Sequence, residues 1–212
     1  MRRRKGCAVF TIGHSTRTQD DFVALLKAHG VAQLVDVRTI PRSRHNPQFN
    51  GDSIAAALNR AGIEYAQLKA LGGLRHPRAD SVNTAWRNAG FRGFADYMQT
   101  QEFAEGLQKL IKMAESKRTA IMCAEAVPWR CHRSLIADAL LVHGCAVEEI
   151  ESVKRTRPHA LTPWACVEGK QITYPAAKLE ESKELGRPDK PELQKKPGHR
   201  KTAGGSDRRA TP

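Results

Sequence analysis

The sequence predicts an α/β fold: a single three-layer domain with a mostly parallel sheet, a small C-terminal hairpin and a disordered basic tail. Three observations predict it. From Ala8 to Ile150, short apolar runs alternate with amphipathic helical patterns, the mark of repeated strand-helix units. The chain has 212 residues and is 40% hydrophobic, which fills one core of ordinary size and leaves no room for a second complete domain. From about Ala177 onward, large apolar residues are scarce and Lys, Arg, Glu, Pro and Gly dominate, so that segment buries too little apolar surface to offset its ordering entropy. The expected boundaries are 8–175 for the domain and 176–212 for the tail.

Ala8-Val9-Phe10-Thr11-Ile12 is the first strand. Thr18 with Asp21 resembles a capping box, and Phe22, Leu25 and Leu26 share one face of a helix that ends at Gly30. Leu34 to Val37 is the second strand. Ser53 is the expected cap of a helix carrying Ile54, Ala57, Leu58 and Ala61, with Gly62 at its end, and Ile63-Glu64-Tyr65 is the third strand. Leu71 to Phe94 shows no periodicity, holds Gly72-Gly73, Pro77, Trp86 and Gly90 among arginines, and reads as a long functional loop. Its Trp86, Phe91 and Phe94 are assigned to packing, because aromatics are few and flank no nucleic-acid motif.

Phe103, Leu107, Leu110, Ile111 and Ala114 then define a helix, and Thr119 to Cys123 a strand. Leu135, Ile136, Ala139 and Leu140 mark another helix, and Cys145 to Ile150 a last long strand. Trp164 to Val167 and Ile172 to Tyr174 form a hairpin about Glu168-Gly169. No internal repeat is visible.

No apolar stretch is long enough for a bilayer span of about 20 residues, so no membrane partner is expected. The basic start Met1-Arg2-Arg3-Arg4-Lys5 leads into a strand-like run rather than a signal-peptide core. Five cysteines, an odd number spread widely, do not form a secreted disulfide framework, which makes the cytoplasm the expected compartment. Cys7, Cys145 and Cys166 read as small buried apolar residues. The formal charge is +13. Ten Lys or Arg against six Asp or Glu give residues 177–212 a net +4, which leaves +9 on the body, so attraction to polyanions is a property of both parts.

In parallel sheets, sites form outside the carboxyl ends of the strands. Three polar clusters stand there: Gly13-His14-Ser15-Thr16, then Asp36 with Arg38, Arg42, Arg44 and His45, then Cys123-Ala124-Glu125. The expectation is that they converge. The segment from Ala120 to Arg133 joins a strand to a helix, where main-chain amides attract anions and Arg130 and Arg133 can add bidentate contacts. In such a field Cys123 has a lowered pKa and becomes nucleophilic. The arrangement echoes cysteine-dependent phosphatase loops, but six residues separate Cys123 from Arg130, one more than usual there, and Pro128-Trp129 replaces the glycines.

Cys123, Cys131 and His132, with His14, are an alternative set of zinc ligands, although Cys-x7-Cys-His lacks the short cysteine knuckle of common structural sites. Cys123 and Cys131 also stand as a redox pair. Glu125, if buried beside arginines, is a general base, and Asp36 serves similarly. The plainer readings are Cys123 as site wall, Glu125 as an ion-pair partner of Arg130 or Arg133, His132 as a helix cap, and His14 with Ser15 as a turn.

Thr11-Ile12-Gly13-His14-Ser15, Val35-Asp36-Val37-Arg38, Pro41-Arg42-Ser43, Asn46-Pro47-Gln48-Phe49, Leu71-Gly72-Gly73, and Met122-Cys123-Ala124-Glu125 to Cys131-His132-Arg133 form an ordered set of motifs. With them, the chain resembles the domain-of-unknown-function family 488 from approximately Ala8 to Pro175, including Leu161-Thr162-Pro163. The resemblance implies a prokaryotic-type cytoplasmic α/β domain and brings no established reaction; the basic tail lies outside the family pattern.

The expected function is an enzyme-like anion site for a phosphate-bearing small molecule, a nucleotide or nucleic acid. In it Arg38, Arg130, Arg133, His132, Gly13 and Ser15 hold the anion, while Cys123, Glu125, Asp36 and His14 carry the chemistry. A nucleic-acid-binding module without catalysis, and a Cys/His metal or redox site, are the alternatives. The residues specify neither a cofactor nor an oligomeric state.

Overall fold

The computed structural model of the chain describes residues 6–177; all but the first two residues of the expected tail lie outside them. Six strands form one sheet in the order β3-β2-β4-β1-β5-β6: β1 (Ala8–Gly13), β2 (Gln33–Asp36), β3 (Glu64–Gln67), β4 (Thr119–Cys123), β5 (Ala146–Ser152) and β6 (Arg155–Pro158). The first five are mutually parallel, and β6 closes the edge antiparallel to β5. β7 (Cys166–Glu168) and β8 (Gln171–Thr173) make the expected hairpin.

The helices are α1 (Gln19–Ala28), α2 (Gly51–Arg60), α3 (Ala89–Tyr97), α4 (Gln101–Ser116) and α5 (Arg133–Val142). Strand side chains alternate between two cores. Phe10, Ile12 and Leu34 pack with Phe22 and Leu26 of α1 and Ile54 and Leu58 of α2. Val9, Val35 and Ile121 pack with Phe94 of α3, Leu107 and Leu110 of α4, and Leu135 and Ile136 of α5. Helices therefore cover both faces, and strands buried on both sides read as the continuous apolar runs seen in the sequence. Thr18 caps α1 by accepting from Asp21 N at 3.1 Å. No helix of the described residues is long and apolar enough to cross a membrane.

Four local expectations change. Asn50, not Ser53, stands at the N-cap of α2, and the helix begins at Gly51. The stretch from Leu71 to Phe94 is not all loop: Asn88 Oδ1 accepts from Gly90 N and Phe91 N and starts α3, whose Gly90 and Gly93 dilute the helical pattern. β6, with the sequence Arg-Thr-Arg-Pro, lacks the apolar residues by which strands are recognised; its Arg157 pairs with Glu149 on β5. Cys7 and Cys145 are disulfide-bonded rather than simply buried, because neighbouring β1 and β5 begin side by side with Ala146 N donating to Cys7 O, and Cys166 is only half-buried. Trp86 packs against Phe91, Trp164 and Tyr174 as expected.

Two crossovers position the site. The chain passes from β1 to β2 across β4, over the α1 face, and from β4 to β5 across β1, over the α5 face. The connections thus leave the carboxyl ends of β1 and β4 in opposite directions and leave a crevice between them.

A buried polar cluster anchors α5. Asp138, fully buried, accepts from Tyr174 OH at 2.9 Å, Thr162 N at 3.1 Å and His159 Nε2 at 2.9 Å, while His159 Nδ1 meets Glu149 at 3.1 Å. Burial opposes protonation of His159, but hydrogen bonds to the two carboxylates outweigh it and raise its pKa to about 9. A folded-state pKa above the unfolded value means that this pairing stabilises fully below pH ~6.5 and fades as pH rises through about 9. His159→Gln is expected to lower unfolding free energy by about 2 kcal/mol at pH 6 and to flatten its fall between pH 6.5 and 9; urea unfolding across that range checks it.

Candidate active site

β1, β2 and β4 deliver their last residues to the crevice. Pairing of β1 with β4 runs past Gly13 and Cys123, with His14 N donating to Cys123 O at 3.0 Å and Ser15 N to Ala124 O at 2.8 Å. The loop after β4 lies so close that a Cβ at Gly13 would overlap the Glu125 carbonyl and stand 2.8 Å from Arg133 Nη1. Ser15 completes the turn with φ 51°, a conformation few non-glycine residues adopt. Arg133 at the start of α5 is buried, and its guanidinium donates to Glu125 O and, at 2.9 Å, to Ala126 O.

This clamp sets Cys123 opposite Cys131 and His132. His132 Nε2 donates to Val37 O at 2.9 Å, which leaves Nδ1 as an acceptor 3.8 Å from both sulfurs. Phe94 meets the ring edge to face at 4.9 Å, and Gly73 packs against its other side so closely that a Cβ would collide with it. A hydrogen bond donated by the Cys131 thiol to its sulfur holds the Cys123 thiol below the ordinary cysteine range against burial, with help from Arg133 and the main-chain amides of Ala124 and Glu125. Cys131, donating that hydrogen bond and buried, is pushed up. The ligand atoms of Cys123, Cys131 and His132 all lie within 4.8 Å of one another, a set that one tetrahedral ion can bridge; His14 is not part of it.

His14 stands in a different state. Its Nδ1 donates to Ser15 O at 2.8 Å, its Nε2 accepts from Arg38 Nη1 at 3.3 Å, and its ring stacks on Phe49 at 4.3 Å. Burial lowers its pKa, so this is a neutral imidazole with both nitrogens engaged. Arg38 also gives Nη2 to Phe49 O at 2.8 Å and grips Asp36 with Nε at 2.9 Å and Nη2 at 2.5 Å. Asp36, fully buried, takes Tyr65 OH at 2.9 Å as well.

Together these groups line a cavity of about 310 Å³. His14, Arg38, Cys123 and His132 form its inner wall, Ala124 and Thr39 flank them, and Ile40, Arg42, Ser43, Gly73 and Leu74 form its mouth. The three sequence clusters do converge, but not every expected residue contributes. Asp36 holds Arg38 and lies behind the cavity wall; Arg133 spends its Nη atoms on carbonyls. Glu125 is exposed rather than buried beside arginines, and Arg130 is exposed too; neither lines the cavity. Gly13 and Ser15 act through the main chain. His132 makes no side-chain cap on α5. Sequence reasoning missed Thr39, Ile40, Ser43 and Leu74 as lining residues, and it set His132 with Cys123 only as an alternative metal ligand or an anion holder, not as its hydrogen-bond partner; Gly72-Gly73 was the one available signal for the second loop.

Asp36→Asn is expected to destabilise the fold by about 3 kcal/mol, since it leaves the Arg38 guanidinium, 7% exposed, without its counter-charge. A lower urea midpoint at unchanged m-value checks this.

Comparison with known proteins adds one finding. No curated protein and no solved structure matches the chain. A family model described as domain of unknown function DUF488 matches residues 18–140, from the α1 cap through β2, Gly73, Cys123 and His132 into α5. That is more than half of the 212 residues, and the chain belongs to the family of that domain of unknown function.

Proposed function

We propose that the chain is a thiol-dependent enzyme in which Cys123 attacks an electrophilic centre of a small phosphate-bearing or similarly anionic substrate. The observation that carries this reading is the orientation of His132: with Nε2 given to Val37 O, its Nδ1 lone pair is held toward Cys123 Sγ at 3.8 Å on the inner wall of the cavity. The thiol proton passes to His132 Nδ1 as the bond from sulfur to the electrophilic atom forms. It returns to the leaving group as that group's bond breaks; water then attacks the sulfur-bound intermediate, giving its proton to His132 Nδ1 as the bond to sulfur breaks, and that proton returns to the Cys123 sulfur.

Roles shift accordingly from those expected. His132 replaces Glu125 as proton acceptor, Arg133 with the amides of Ala124 and Glu125 acts on the sulfur rather than on the anion, and Arg42 at the mouth supplies the cation that meets the anion in place of Arg130. His14 and Asp36 orient Arg38. A second reading, favoured by the spacing of the three ligand atoms, is a metal site that Cys123, Cys131 and His132 would hold.

Alkylation kinetics test the proposal. Iodoacetamide is expected to label Cys123 first among the free cysteines at pH 7, and His132→Gln is expected to slow that labelling at least about tenfold. Equal rates in wild type and variant would contradict it. Stoichiometric zinc in protein purified without chelator, lost in Cys123→Ser, would replace it with the metal reading.

A further inference from the structure

Among the described residues, the two most exposed large hydrophobic side chains, Leu74 at 71% and Ile40 at 60%, line the same cavity. Leaving a leucine and an isoleucine in water forgoes the free energy that burying their apolar surface would return. Each single instance is ordinary on a protein surface; two at the mouth of the cavity that holds Cys123 are not placed by chance packing.

Nor are they loose. Leu74 N donates to Thr39 Oγ1 at 3.2 Å, and Gly72 packs so closely on Thr39 that a Cβ there would overlap its hydroxyl. Gly73 in turn lies flat against His132. The loop that carries Leu74 is therefore tied to the loop that carries Ile40, and both are tied to the ring beside the reactive sulfur. Arg42 shares this mouth. The opening thus combines one cation with two apolar side chains, a pattern that grips a molecule having an anionic end and an apolar body.

We infer that Ile40 and Leu74 are specificity-determining residues that select, for the site proposed above, a small anion carrying an apolar substituent over the bare anion. This rests on Cys123 being the reactive group, but the apolar preference is measured apart from that reactivity. The substituent lies between Ile40 and Leu74 while the anionic group meets Arg42, and the reacting atom enters toward Cys123.

Protection of Cys123 from iodoacetamide gives the test, with phenyl phosphate and inorganic phosphate as competitors. Phenyl phosphate is expected to give half-protection at a concentration about tenfold below that of inorganic phosphate, the scale of burying one face of a small ring. The double variant Ile40→Ser with Leu74→Ser is expected to bring that ratio close to one. Val82→Ser, which removes an exposed apolar residue outside the cavity, is expected to leave it unchanged. A ratio near one in the wild type, or a ratio that survives the double variant, overturns the inference. If labelling without competitor is nevertheless fast and dependent on His132, the thiol reading stands while the apolar preference falls; slow labelling without competitor overturns both.

Discussion

Burial makes a guanidinium demand acceptors, and Arg133, 1% exposed, draws two carbonyls of the loop after β4 onto its Nη donors, while its buried Nε has no hydrogen-bond partner among the described residues. The neighbouring geometry depends on that demand. Glu125 O can reach Arg133 only because Gly13 has no side chain, so the end of β1 and the start of α5 share one contact. Cys123 precedes the clamped loop and Cys131 and His132 precede the clamping residue, so the distances among them are set by the same two hydrogen bonds. No carboxylate is paired with this buried cation among the described residues. After the hydrogen bond from Cys131, the charge of Arg133 helps to lower the Cys123 pKa.

The two histidines of the cavity show how main-chain partners assign chemistry. His14 donates through Nδ1 and accepts through Nε2, which leaves it no lone pair for a substrate. His132 donates through Nε2, and its Nδ1 faces sulfur alone. Both tautomers follow from which nitrogen meets a carbonyl, Ser15 O in one case and Val37 O in the other. Asp36 acts one step further back, through Arg38 on His14. Hydrogen bonds hold the wall, and its exposed mouth carries Arg42 and the apolar pair.

Much of this was legible in the residues. The central strands β1, β2 and β4 stand out as largely apolar runs because both of their faces are buried, and the rule that sites gather at carboxyl ends brought Gly13-His14, Asp36-Arg38 and Cys123 to one crevice. What escaped was of two kinds. β6 and α3 escaped because an edge strand rich in arginine and a helix diluted by Gly90 and Gly93 lack apolar periodicity. Side-chain roles escaped because they depend on contacts distant in sequence. His132 and Val37 are 95 residues apart, and the glycine that packs on His132 lies in a segment read only as loop. Glu125 was misjudged for a related reason: its carbonyl, rather than its carboxylate, is what the fold uses.

The central claim is that Cys123, beside His132, gives up its proton more readily than an ordinary thiol. Thiolate absorbance near 240 nm reads it directly, as the difference between wild type and Cys123→Ser followed through a pH titration of chelator-treated protein. The account requires that difference to appear below about pH 8, under the ordinary thiol value of roughly 8.5. A difference that appears only at or above that value would contradict it.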